Sequence, residues 1–139
     1  MSGFSLMELM VTVVIIGILA AVAMPAYADY VKRGRIPPGT AALSELRAKM
    51  EQHFQDNRSY KGACAKGALA EPPTNLADFS IACEIPDDGN SFVLRAEGQG
   101  KMNGFVFRID EKNARSTTSV PKGWTKSDDC WVTNKGGKC

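Results

Sequence analysis

One carboxylate lies inside a long apolar segment near the start of the chain, and it is the residue best placed for specific chemistry. The segment runs from Phe4 to Met24, and Glu8 is its single charged residue. At about 1.5 Å per helical residue it would span about 30 Å, the thickness of a membrane's hydrocarbon core. A charge inside such a helix costs about 2.5–3.5 kcal/mol on insertion scales. We therefore predict that Glu8 pairs with a cation.

Four cysteines, all beyond the apolar segment, are the next candidates for chemistry. An even number in a small domain behind a membrane-targeting segment predicts two disulfides and an oxidising compartment. Zinc binding is the alternative, but no C-x-x-C pair occurs and the single histidine, His53, is interpreted as structural. We expect no metal site. The cysteines are Cys64, Cys83, Cys130 and Cys139.

Positive charge begins after the apolar segment and is strongest near the C-terminus. Residues after position 31 carry 17 basic and 13 acidic side chains, a net charge of +4. The last 28 residues carry six basic and two acidic side chains, which also gives +4, with Trp124 and Trp131 among them. Basic residues interleaved with aromatics can bind nucleic acid by phosphate neutralisation and base stacking. The alternative is a solvated surface over core tryptophans. The candidate DNA contacts are Lys112, Arg115, Lys122, Lys126, Lys135 and Lys138.

The sequence contains no recognisable catalytic constellation. It has no G-x-S-x-G, no P-loop and no H-E-x-x-H. The acidic pairs Asp87-Asp88 and Asp128-Asp129 occur in turn-like contexts, so we interpret them as solvated caps. We therefore expect that the protein is not an enzyme and uses no cofactor.

Helical patterns cover the first part of the chain. We expect one helix from Phe4 to Val31, interrupted at Pro25 because proline lacks a backbone donor. The run Ile36-Pro37-Pro38-Gly39 predicts a full break, after which Thr40 would cap a second helix. That helix should pack an apolar stripe on a sheet. The stripe consists of Leu43, Leu46, Met50 and Phe54.

Four strand candidates follow a long loop over 57–77. Alternating apolar residues and short turns predict an antiparallel meander, and a helix covering one of its faces gives an α+β domain. The predicted strands are Asp78–Glu84, Ser91–Glu97, Gly104–Asp110 and Ala114–Val120.

The residues from Gly3 to Val11 resemble the processing motif of type IV pilins and the related pseudopilins: Gly, then Phe, then Glu as the fifth mature residue. The resemblance implies that a prepilin peptidase cleaves after Gly3 and methylates the Phe4 amine. It also implies that Glu8 pairs with a Phe4 amine during filament assembly, and that the Pro25 segment can unwind in the filament. The corresponding parts are a leader, 1–3, a membrane and filament-core helix, 4–31, and a head domain, 32–139.

Two other interpretations of the N-terminus stay open. One is a cleaved secretory signal, since Ala-x-Ala sites occur at Ala21–Ala23 and Ala26–Ala28, and the other is a simple membrane anchor. The leader Met1-Ser2-Gly3 also lacks the Lys or Arg that is usual in the family, so this signal for orientation is missing.

Further segments resemble PilE-type minor pilins, among them Lys49–Gln52, Phe54–Tyr60 and Val120–Trp124. This resemblance implies the type IV pilin fold: a long N-terminal helix on a roughly four-stranded antiparallel sheet, with a disulfide-stapled C-terminal loop. Of the three connectivities we favour the sequential one, and the Cys130–Cys139 pair is supported by the resemblance.

The implied function is a pilus subunit, a minor pilin that serves adhesion, twitching motility or DNA uptake. Its precursor would lie in the bacterial inner membrane and its head would be periplasmic, then extracellular. The implied partners are other pilin subunits, the prepilin peptidase and DNA. The alternatives are a DNA-binding competence receptor and a type II secretion pseudopilin.

Overall fold

The computed structural model describes residues 3–139 of the chain. Met1 and Ser2, part of the predicted leader, lie outside the described residues. Contacts divide the chain into two units, one ending at Gly34 and the other comprising Arg35–Cys139. The elements are the helix α1 (Leu6–Asn57), the strands β1 (Phe79–Glu84), β2 (Val93–Gly98), β3 (Val106–Asp110) and β4 (Arg115–Ser119), and a short 3-10 helix (Gly100–Met102).

The N-terminal unit is the apolar part of α1. Among the described residues, α1 is long and apolar enough to cross a membrane, and none of its apolar window is buried within the chain. Its large apolar side chains are mostly exposed, among them Phe4 at 83% and Tyr30 at 75%. An apolar helix with no buried face needs lipid or other chains around it.

The helix α1 runs without interruption through the residues that were predicted to break it. Pro25, Pro37 and Pro38 all lie within Leu6–Asn57, so α1 continues past Pro25 and the predicted break at 36–39 is wrong. The assignment of Thr40 as an N-cap is also wrong, because its hydroxyl donates to the Pro37 carbonyl, 3.2 Å away, inside the helix.

Tertiary packing explains why the helix continues through Pro37 and Pro38. Pro37 and Pro38 are exposed, whereas Ile36 and Gly39 on either side of them face the core. The buried residues follow one another at spacings of three and four. The predicted apolar stripe therefore begins at Ile36, earlier than expected. The buried residues of α1 are Ile36, Gly39, Leu43, Leu46 and Met50.

The four strands form one antiparallel sheet in the order β1-β2-β3-β4, which confirms the predicted meander. Each predicted strand matches an observed one to within two residues at either end. The register pairs Ala96 with Ile81 on one side and with Phe107 on the other, so the apolar positions of three strands share one face. That face packs against the α1 stripe in a single core. The predicted α+β architecture is thus confirmed.

Polar contacts and a disulfide fasten the sheet and the long loop to α1. The Nη1 of Arg35 donates to both carboxylate oxygens of Asp78, at 2.9 and 3.0 Å, just before β1 begins. The Cys64–Cys83 disulfide ties the loop to β1, as the sequential pairing predicted. Burial, followed by the charge of Glu51, raises the pKa of Tyr60 to about 12, so the Tyr60 hydroxyl stays protonated and donates to Glu51.

Gly39 provides a test of the packing that carries α1 through its prolines. A Cβ added at Gly39 would lie 2.8 Å from the Phe79 ring, which is held in the core. We expect Gly39→Ala to lower the free energy of unfolding by about 1–3 kcal/mol, the usual cost of overpacking. Urea unfolding of the full chain in detergent micelles measures this.

Gly34→Ala is the matched control in the same helix. An added Cβ there meets nothing within 4 Å. Since Ala is the better helix former, this change should be stabilising by about 0.5–1 kcal/mol. Equal effects of the two substitutions would show that the Gly39–Phe79 contact does not decide the packing.

Candidate functional site

The N-terminal candidate site lies where the chain enters α1. Gly3, Phe4 and Ser5 precede the helix and are exposed, so the Gly3–Phe4 bond lies in irregular, accessible backbone. The Ser5 hydroxyl accepts from the Met7 N–H at 3.3 Å, which is an N-cap contact. The backbone at Gly3–Phe4 therefore lies outside the regular helix.

Glu8 occupies the first turn of α1, where a carboxylate also interacts favourably with the helix dipole. The spacing Ser5-x-x-Glu8 is that of a capping box, a signal that the sequence analysis did not use. Its reciprocal bond from the Ser5 N–H to the Glu8 carboxylate is not formed within residues 3–139. The carboxylate is exposed and makes no ion pair with any described residue. It is therefore available to a cation outside the chain.

The C-terminal candidate site is built on irregular backbone that follows β4. Thr117 of β4 is fully buried, and its hydroxyl donates to the Cys130 carbonyl at 2.9 Å and accepts from the Val132 N–H at 3.0 Å. The Thr117 N–H donates to the Ser127 carbonyl at 2.7 Å. One residue thus holds the returning segment along the outer edge of the sheet.

A second set of contacts closes the final loop. The disulfide joins Cys130 to Cys139, which confirms the predicted pair. The Thr125 N–H donates to the Lys135 carbonyl at 3.0 Å, and Gly137, at a φ of 71°, packs against the Thr125 side chain. The last ten residues therefore lie beside the segment around Thr125.

All six predicted DNA contacts are exposed, and four of them lie on this fastened segment. Arg115 starts β4, and its guanidinium stacks 4.6 Å from the centre of the Trp131 ring. Trp131 is half-buried and donates to the Arg108 carbonyl at 2.8 Å. The six exposed residues are Lys112, Arg115, Lys122, Lys126, Lys135 and Lys138.

The aromatic part of the nucleic-acid hypothesis is only partly supported. Trp124 is 7% exposed and makes an edge contact with Phe105, so it belongs to the core and offers no face for stacking. Trp131 already has a guanidinium on one face. The site therefore presents mainly cations.

An open cleft of about 410 Å³ lies between the β3–β4 turn and the segment before Cys130. The residues that line it are Asn113, Ala114, Arg115, Asp128 and Asp129. Asp128 and Asp129, interpreted from the sequence as solvated caps, are exposed and line the same cleft as Arg115, which the sequence did not indicate. Sequence reasoning also missed Thr117, whose signal was an inward position in a strand rich in Ser and Thr.

Comparisons with known proteins agree with this geometry. A family model described as "Type IV minor pilin ComP, DNA uptake sequence receptor" matches residues 25–105, more than half of the chain. The prokaryotic N-terminal methylation motif matches residues 1–24. The chain belongs to the type IV pilin family. The N-terminal site of this pilin thus coincides with the methylation motif.

Curated relatives are fimbrial proteins. A type IV major fimbrial protein FimA from Dichelobacter nodosus is 45% identical over 105 residues, covering 73% of this chain and 62% of the relative. A second FimA from the same species is 33% identical over 120 residues, covering 85% of this chain and 72% of the relative. The match to the first relative therefore spans less than two thirds of that protein's length.

A solved structure of a type IV pilin from Shewanella oneidensis covers 73% of this chain and 98% of that one, with a TM-score of 0.48 and 20% identity. The match to the ComP model ends at Phe105, before β3 begins. The six basic residues and the cleft therefore lie beyond the region matched to a DNA receptor, and their roles must be argued from this chain's own geometry.

Thr117 tests how the C-terminal site is held. In Thr117→Val, which has nearly the same shape, the Val132 N–H and the Cys130 carbonyl lose their partner. We expect a loss of about 1–3 kcal/mol in the free energy of unfolding, the cost of unsatisfied buried groups. The fluorescence of Trp124 and Trp131 during urea unfolding of the full chain in micelles reports it. Thr117→Ser keeps the hydroxyl and should recover at least half of the loss. No loss in Thr117→Val, which keeps the methyl group and removes only the hydroxyl, would show that these two hydrogen bonds do not stabilise the segment.

Proposed function

We propose that this pilin is a subunit of a type IV pilus, a minor pilin, whose head binds DNA. The observation that carries the proposal is the C-terminal segment, whose backbone is held by hydrogen bonds and a disulfide and which bears four exposed lysines. The description of the matching family as a DNA uptake sequence receptor supports the same assignment. The matched descriptions are those of pilus proteins, which favours this over a type II secretion pseudopilin.

The N-terminal site accounts for processing and assembly in this proposal. The precursor is anchored in the bacterial inner membrane by the apolar part of α1. A prepilin peptidase cleaves the exposed Gly3–Phe4 bond and methylates the new Phe4 amine, after which the subunit enters a filament together with other pilins. The pilus carries the head outside the cell.

Glu8 supplies the specificity of that assembly step. When apolar helices pack around one another they exclude water, so the unpaired Glu8 carboxylate and a Phe4 amine both lose hydration. Pairing restores part of that loss, whereas one partner alone costs about 3–5 kcal/mol. The carboxylate therefore selects subunits whose Phe4 amine has been exposed by cleavage. Pro25 would allow the helix to unwind locally in this packed state, although it is helical in the single chain.

Phosphate neutralisation accounts for DNA binding. Each lysine or arginine that contacts a phosphate releases counterions, so affinity falls steeply with salt. The segment from Lys112 to the C-terminus carries the whole positive excess of the chain beyond position 31. Because the backbone that bears these cations is fixed by Thr117 and a disulfide, little ordering is required on binding.

Glu8→Gln tests the assembly role, since it removes the charge and keeps the size of the side chain. In cells that lack their own copy, we expect at least about tenfold less of the variant in sheared pili, because a buried amine would lose its partner. Immunoblots of pili and membranes measure incorporation, and the cleaved N-terminus is checked by mass spectrometry.

Glu45→Gln is the control for this experiment, because it removes an exposed acid from the head part of α1 and should enter pili normally. If Glu8→Gln were cleaved and incorporated at the wild-type level, the assembly role of Glu8 would be wrong.

A salt series tests DNA binding by the C-terminal segment. We expect the full chain in detergent micelles to bind duplex DNA at low salt, with affinity that falls as salt rises. Changing Lys122, Lys126, Lys135 and Lys138 together to Gln should lower the slope of log affinity against log salt by about 3–4, at about 0.9 per phosphate contact. Fluorescence anisotropy with a labelled duplex gives the slope.

The matched control makes the same charge change elsewhere on the head. Changing Arg58, Lys61, Lys66 and Lys101 to Gln also removes four exposed cations and should alter the slope little. Equal slopes in the two quadruple variants, or no binding by the wild type at low salt, would reject the C-terminal segment as the DNA site.

A further inference from the structure

The last turns of the N-terminal unit carry aromatic and basic side chains that the proposed function does not use. Tyr27 and Tyr30 are 70% and 75% exposed, and they follow an apolar window of which nothing is buried among the described residues. Lys32, partly exposed, and Arg33, exposed, come next. This order matches the surroundings that a helix meets as it leaves a membrane: hydrocarbon, then the interface favoured by tyrosine, then the headgroups.

The length of the helix places each group at the matching depth. With the Glu8 carboxylate at one membrane surface, about 20 residues cross the hydrocarbon core of about 30 Å, so the opposite boundary lies near Ala28. The two tyrosines then lie on either side of that boundary. The two cations lie four and five residues beyond Ala28, about 6–7.5 Å further along the helix axis. The headgroup layer is about 5–7.5 Å deep on each side of the core, so the cations reach it.

The charge of this layer is positive by one unit. Asp29 lies four residues before Arg33, the spacing at which opposite charges on a helix attract each other. Two cations and this one acid leave a net charge of +1 over 29–33. The next cation along the chain, Arg35, is paired with Asp78 at 2.9 Å and therefore adds no uncompensated charge. One monovalent anion would balance the layer.

An anionic phospholipid headgroup has the chemistry that these side chains require. Its phosphate accepts hydrogen bonds from an ammonium or a guanidinium, and the tyrosine hydroxyls can donate to oxygens nearer the acyl chains. The long stems of Lys32 and Arg33 can lie along apolar surface while their charges reach the phosphate. A zwitterionic lipid fits less well, because it brings a cation of its own into the same layer.

We propose that residues 27–33 bind the headgroup of an anionic phospholipid while the chain is in the membrane. The inference rests on the proposed function, in which the precursor is anchored there before assembly, and it adds a lipid-binding site to that stage. The bound headgroup fixes the depth of α1. It must be released when the subunit enters a filament, so the same two cations then need water or carboxylates of other chains.

Competition between two lipids tests the site. The full chain in detergent micelles is incubated with equal amounts of phosphatidylglycerol and phosphatidylcholine that carry the same acyl chains, and bound lipids are counted by native mass spectrometry. We expect the wild type to retain phosphatidylglycerol about fivefold over phosphatidylcholine, the scale of one cation at an anionic membrane surface. Lys32→Gln with Arg33→Gln should abolish this preference, because Asp29 then leaves the layer negative.

The head offers a matched control for the loss of two charges. Lys66→Gln with Lys101→Gln removes two exposed cations that lie far from 27–33 in the sequence. This variant should keep the wild-type preference, because its substitutions leave the layer at 29–33 unchanged.

Four outcomes separate this inference from the proposed function. Loss of preference in the Lys32/Arg33 variant alone supports the lipid site. Equal retention of both lipids by the wild type, or the same preference in all three proteins, overturns the lipid site and leaves the pilus function intact. Equal loss in the two double variants also overturns it, since overall charge would then be the cause. Wild-type chain that is released from cell membranes by alkaline carbonate overturns the membrane stage of the proposed function and the lipid site with it.

Discussion

The burial of one stripe of α1 against the sheet is the constraint on which the head depends. A proline inside a helix costs about 3 kcal/mol or more, and this helix has two in succession at Pro37 and Pro38. Full burial of one large apolar side chain contributes about 1.5–3 kcal/mol, and the stripe buries four of them. The packing therefore outweighs the local cost, and the prolines are confined to the exposed side of the helix.

Before Gly34, the same helix has no buried residue among those that the structure describes. The density of exposed apolar side chains on this part of α1 is unfavourable in water, so it needs lipid or other chains around it. The environment in both cases has a low dielectric constant, which strengthens any charge pair that forms within it. In the proposed assembly step, a single carboxylate in the first turn would therefore have a large effect, although it contributes little to the stability of the isolated chain.

Sequence patterns predicted the structure correctly where no local signal conflicted with the tertiary packing. Alternating apolar residues located all four strands, and the short turns between them determined the antiparallel order. The failures came where local and tertiary preferences conflicted: the signals at Pro37, Pro38 and Gly39 are correct for an isolated peptide, but burial of Ile36 and Gly39 overrides them. The cleft could not be predicted, because Arg115 and Asp128 are separated in sequence and come to line one cleft only where Thr117 holds the returning segment against β4.

Those hydrogen bonds also explain how irregular backbone can present a binding surface. The segment after Ser119 forms no strand or helix, and such backbone would ordinarily be mobile. Here Trp124 is buried in the core, Thr117 satisfies the backbone of Cys130 and Val132, and a disulfide closes the end. Each side chain immobilised on binding costs about 0.5–1.5 kcal/mol, and any backbone ordering adds to that cost. Fixing the backbone beforehand leaves only the long side chains to be ordered, so lysines on a fixed backbone can adapt to the phosphates at a small cost in entropy.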